Sequence, residues 1–141
     1  MLNNEEYDQY QERKKVEFFD KYPTLFPNGE PTFGFDVGYG WWPLLDKLCS
    51  DIKAELDQLP EPPAFEVAQV KEKFGGLRFY VDNSTEEIDF LIRKAESDSY
   101  EICEDCGATG KVQRGAWMKV RCDACEEKFQ KARIETWALS K

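Results

Sequence analysis

Five cysteines and no histidine occur in the 141 residues. Four of the cysteines stand in two pairs, Cys103-x2-Cys106 and Cys122-x2-Cys125, with fifteen residues between the pairs. Two cysteines separated by two residues fold into a tight knuckle that aims both sulfurs at one point. Two such knuckles supply the four sulfurs of a tetrahedral zinc site. The spacing predicts one Zn2+ held by Cys103, Cys106, Cys122 and Cys125. A site filled by four sulfurs has no position left for water or substrate, so the ion is expected to be structural.

The residues around the pairs fit that purpose. Gly107 and Gly110 permit turns after the first pair, and KVQRGAWMKVRC reads as a hairpin turning near Arg114-Gly115. The second pair runs directly into EEKFQKARIETWAL, a helix with Phe129, Ala132, Arg133 and Trp137 on one face. Knuckle, hairpin, and a knuckle at a helix start make a treble-clef-like arrangement over residues 103–141. Helix N-terminal amides favour the thiolates of the second pair.

Residues 1–102 must carry that module. Tyr7, Tyr10, Lys14, Phe18 and Tyr22 recur at helical spacing over residues 4–21, and Pro23 stops the helix. Residues 23–43 hold four prolines and four glycines among Phe26, Phe33, Phe35, Tyr39, Trp41 and Trp42. So many aromatics either cover the core or form a binding surface; Trp41 and Trp42 are the candidates for the surface, and such a surface would be compatible with a homodimer. Residues 43–59 read as a helix with Leu45, Leu48, Cys49, Ile52, Leu56 and Leu59 on one face, which makes Cys49 a buried hydrophobe.

FEVAQVKEKFGGLRFYVD reads as a hairpin turning at Gly75-Gly76. That register sets Phe74 opposite Leu77 and Lys73 opposite Arg78. It leaves Lys71, Lys73, Arg78 and Tyr80 on the face away from the core, either solvated or meeting an anion. Ser84 and Glu87 fit a capping box for a further helix with Ile88, Leu91, Ile92, Ala95 and Ile102 as its stripe. The expected fold class is α+β: helices around a β-hairpin, followed by the small zinc module.

The net charge is -9, unevenly spread. Residues 103–141 carry eight Lys/Arg against six Asp/Glu, and residues 1–102 carry 11 against 22. An acidic body argues against gripping a phosphate backbone with the whole surface. Lys111, Arg114, Lys119, Arg121, Lys128, Lys131 and Arg133 could still offer cations to nucleic acid, Trp117 could stack on a base, and Lys71, Lys73, Arg78 and Tyr80 could extend the patch. No P-loop, dinucleotide fingerprint or nucleophile elbow is present. The spacing of Asp36, Asp46 and Asp51 demands no acid–base pair, so no enzyme is expected. No apolar run reaches the length of a membrane span. The polar start MLNNEEYDQYQERKK lacks the features of a secretory signal, so a cytoplasmic chain with reduced cysteines is expected.

The strings KEKFGGLRFYVD and ICEDCGATGKVQRGAWMKVRCDAC, with DKYPTLF and GYGWWPLLDKLC upstream, resemble a group of small proteins of tailed bacteriophages and prophages. The resemblance covers roughly residues 20–127 and implies a phage origin and zinc, but no reaction. It places the chain in the cytoplasm of a bacterial host. The leading expectation is a non-enzymatic accessory protein that binds a host protein. Its acidic surface would serve to inhibit a component of defence or transcription. The alternative is a regulatory protein that binds nucleic acid through the zinc module.

Overall fold

The computed structural model describes residues 3–115 and 117–140. Helix α1 spans Asn4–Lys21 and opens with a capping box: Asn3 Oδ1 accepts the Glu6 N–H at 2.8 Å, and the Glu6 carboxylate accepts the Asn3 N–H. Strand β1 (Phe35–Asp36) follows the aromatic loop. A 3-10 turn, Tyr39–Trp41, leads into α2 (Trp42–Asp57), where Pro43 sits at the start of the helix. Strands β2 (Glu66–Lys73) and β3 (Gly76–Asp82) form the hairpin, and α3 (Glu86–Asp98) follows. Thr85 rather than Ser84 caps α3, its hydroxyl accepting the Ile88 N–H at 3.2 Å. Beyond a second 3-10 turn lie β4 (Lys111–Gln113), β5 (Lys119–Arg121) and α4 (Asp123–Leu139). The class is mixed α+β, with the four cysteines gathered near the C-terminal end. Among the described residues, no helix is long and apolar enough to cross a membrane.

The sheet has the order β1-β2-β3. Sequence reading missed β1, two residues set among glycines and prolines. It pairs parallel to β2, with Phe35 opposite Val70. The hairpin is two residues out of the expected register, because its turn lies one residue earlier: Glu72 faces Leu77, Lys71 faces Arg78 and Val70 faces Phe79. The turn residues are Phe74 and Gly75, both at positive φ, and Gly76 already belongs to β3. The reason is steric. A Cβ on Gly76 would lie 2.3 Å from the Tyr100 ring, so this glycine makes room for a neighbour and Gly75 supplies the turn. The free edge of β3 is covered: Ser99 Oγ accepts the Leu77 N–H, and the Glu96 carboxylate accepts the Phe79 N–H.

One core joins these elements. Leu45, Leu48, Cys49, Ile52 and Leu56 of α2 meet Val67, Val70, Leu77 and Phe79 of the sheet and Ile88, Ile92 and Ala95 of α3. The aromatic loop closes its other end with Phe26, Phe35, Trp41 and Trp42. Trp42 stacks on Phe35 at 5.3 Å between ring centres and donates from Nε1 to Gln11 at 2.7 Å. Trp41 is wholly buried and donates from Nε1 to the Ile102 carbonyl at 2.9 Å. A buried indole needs such a partner for its N–H. Trp41 and Trp42 are therefore core residues and are not available as a binding surface. Phe33, by contrast, is 69% exposed.

The loop's two populations give a direct test. Trp42→Ala should cost about 3–5 kcal/mol, as emptying a packed aromatic site does. Phe33→Ala should stay within about 0.5 kcal/mol of wild type. Urea midpoints measure both, and equal losses would contradict this division of the loop.

Candidate metal centre

Strands β4 and β5 pair antiparallel, Val112 opposite Val120, and so bring the second cysteine pair back to the first. Around the first pair, the Cys103 N–H donates to the Ala108 carbonyl at 2.7 Å and the Gly107 N–H to the Cys103 carbonyl at 2.8 Å. These bonds close the knuckle. Cys122 is the N-cap of α4, its sulfur accepting the Cys125 N–H at 3.4 Å. The Ala108 N–H points in the same way at Cys106 Sγ, at 3.5 Å.

The result is a group of four sulfurs, all within 4.8 Å of one another, that could hold a metal ion. Cys106 Sγ and Cys122 Sγ lie 3.7 Å apart. A tetrahedron with metal–sulfur bonds of about 2.3 Å has edges of about 3.8 Å, so this edge already has the right length. Four thiol ligands without a histidine or carboxylate are consistent with zinc. The thiols do not ionise alike. The Cys125 amide pulls Cys122 down to about 7, whereas burial and the neighbouring sulfur of Cys122 push Cys125 up. Cys49, far from the group in sequence, is wholly buried with its thiol pushed well up by burial.

The centre meets the body most closely at Gly38 and Gly40. The Gly40 N–H donates to the Glu104 carbonyl at 2.7 Å, and the Gly38 N–H donates to the Glu104 carboxylate at 2.8 Å. A Cβ on Gly40 would sit 2.1 Å from the Cys103 carbonyl oxygen and 2.4 Å from the Gly107 amide. Only glycine lets the two backbones approach this closely. Glu104 is buried, and burial raises its pKa despite the charge of Lys119 nearby. Lys119 lies between Glu104, at 3.6 Å, and Glu72 on β2, with which it forms a close ion pair. Burial alone would raise Glu72, but the hydrogen bonds from Lys119 and the Gly75 amide hold it below its ordinary value.

Sequence reading missed Glu72, Glu104 and Gly40. The signal was there in the alternating glycines of GYGWW and in a carboxylate inside the first knuckle, but nothing in the sequence links residues 40 and 104.

The other expected residues are spread apart. Lys119 and Arg121 point inward: Arg121 is held by Asp105 at 3.0 Å and Glu126 at 3.2 Å, and its guanidinium lies 4.0 Å from the centre of the Phe129 ring. On the hairpin, Arg78 donates to Tyr100 and to the Leu77 carbonyl, and the Lys73 ammonium lies over the Phe74 ring. Lys71 is partly buried and Tyr80 is exposed. Arg114 and Trp117 lie at the exposed end of the β4–β5 hairpin. No family model, no curated protein and no solved structure matches the chain.

Metal removal by a strong chelator, or Cys122→Ser, should abolish amide protection at Cys103, Gly107 and the first turn of α4. Protection at the Gly40 amide should fall with it, while α2, β2 and β3 keep theirs. Hydrogen exchange reads this, and an unchanged pattern would refute it. Gly40→Ala should cost roughly 1–3 kcal/mol and speed metal loss to a chelator. Gly115→Ala, with open space around it, should do neither.

Proposed function

We propose that the chain is a non-enzymatic binding protein, that one structural zinc ion on Cys103, Cys106, Cys122 and Cys125 organises its C-terminal part, and that its partner is a protein of a bacterial host. The donor chemistry supports the ion, since four thiolates make a closed site whose role is to fold the module rather than to activate water. The resemblance to phage proteins supports the host and its cytoplasm.

The observation that carries the reading is α4. It has 17 residues and not one of them is buried. Phe129, Ile134 and Leu139 are 42%, 64% and 89% exposed. A helix of this length packed only at its first turns is marginal in water. Apolar side chains held out by a metal-anchored helix are what a protein surface can cover. Nucleic acid is the weaker reading, because Lys119 and Arg121, two of its expected cations, are closed into ion pairs with Glu72, Glu104, Asp105 and Glu126.

Affinity capture from nuclease-treated bacterial lysate, followed by calorimetry with the purified partner, tests this. A protein should bind wild type and lose at least tenfold in affinity to Ile134→Glu/Leu139→Glu. Capture that disappears with nuclease would overturn the reading. So would full affinity of the α4 variant, or sedimentation showing that α4 serves only to pair two copies of the chain.

A further inference from the structure

The groove between the β4–β5 hairpin and α4 has a volume of about 450 Å³ and is lined by Gln113, Arg114, Trp117, Phe129, Gln130 and Arg133, among others. Trp117 is 83% exposed, an unusual state for the largest apolar side chain. The groove floor is braced by ion pairs. The Arg121 guanidinium lies against the Phe129 ring and is itself fixed by Asp105 and Glu126. Glu126 is thereby neutralised. Lys119, which reaches the rim, is neutralised by Glu72 and Glu104. Two charges remain: Arg114 and Arg133 make no ion pair or hydrogen bond among the described residues. In a chain of net charge -9, this is a local reversal of sign.

We infer that this groove is the docking site for an acidic peptide segment of the partner, one that places an apolar side chain on Trp117 and Phe129 and carboxylates on Arg114 and Arg133. The inference rests on the protein-binding reading above and adds the site and the partner's chemistry. Guanidiniums bind carboxylates in a bidentate fork, and they do so best beside an apolar wall that excludes water. An exposed indole flanked by arginines has the composition of an interface hot spot.

A single-stranded nucleic acid would also offer anions and flat rings. It needs a track of cations along its backbone; here Lys119 and Arg121 are withdrawn, Lys111 has Asp123 at 3.7 Å, and the exposed Lys128 and Lys131 of α4 do not line the groove. Two isolated guanidiniums match a pair of carboxylates rather than a run of phosphates. The apolar exposure also continues along α4 to Ile134 and Leu139, where side chains gain contact and a phosphate backbone does not.

The test uses the full zinc-loaded chain, immobilised, and a random dodecapeptide display library, with the oligonucleotide dT12 as a second probe. Enriched peptides should combine two or more Asp/Glu with a nearby aromatic or leucine. Synthetic copies should bind at least tenfold more weakly to Trp117→Ala and to Arg114→Glu/Arg133→Glu. They should bind equally to Lys53→Glu, remote in sequence on α2. Circular dichroism and zinc content confirm that each variant is folded. Enriched sequences of basic or neutral character, or acidic ones indifferent to Trp117 and the two arginines, would overturn this inference and leave protein binding standing. No enrichment would also overturn it. No enrichment together with dT12 bound through Arg114 and Arg133 would overturn both readings.

Discussion

The structure turns on the contact between Gly40 and the first cysteine knuckle. A single hydrogen bond of 2.7 Å, from the Gly40 N–H to the Glu104 carbonyl, joins backbones so close that no side chain fits between them. On one side of it Trp41 and Trp42 enter the main core; on the other Cys103 and Cys106 enter the sulfur group. The Ile102 carbonyl, just before the knuckle, takes the Trp41 indole proton. Geometry imposed on the sulfurs is therefore passed to the aromatic loop, and packing of the loop is passed back to the sulfurs. The two parts of the chain, opposite in local charge, are tied here by backbone as well as by ion pairs.

Electrostatics follow from that joint. Drawing Glu104 into the contact buries a carboxylate, which is costly without a compensating charge. Lys119 supplies it and also pairs with Glu72 on β2, so one ammonium ties the module's hairpin to the body's hairpin. Arg121, two residues on, closes the base of α4 through Asp105 and Glu126. Lys119 and Arg121, which read in sequence as part of a nucleic-acid patch, are thus used in holding the module together. What is left outside is a helix with exposed apolar side chains, an exposed tryptophan, and the cations of Arg114, Lys128, Lys131 and Arg133.

Much of this was legible in sequence where the code is local. The cysteine spacing specified the sulfur group, and the 3.6-residue periodicity located α1, α2, α3 and α4, since each depends on neighbours within a few turns. The failures were non-local. The hairpin turn moved by one residue, and the pairing by two, because Gly76 answers to Tyr100, over twenty residues away. The two-residue β1 exists only because β2 is beside it. Trp41 and Trp42 carry the same residue type whether they face core or solvent, and only their partners at Ile102 and Gln11 decide. The use of Lys119 and Arg121 was hidden for the same reason, because a charge in a sequence does not name its counter-charge.

The central claim is that a closed four-sulfur metal centre fixes the module and leaves function to the surfaces it presents. X-ray absorption at the zinc edge, on the purified protein, tests it most directly. Four sulfur scatterers at about 2.3 Å, with no nitrogen or oxygen in the coordination shell, are predicted. A shell with three sulfurs or fewer plus an oxygen would contradict the claim, because a position open to water would return the metal to the candidates for catalysis.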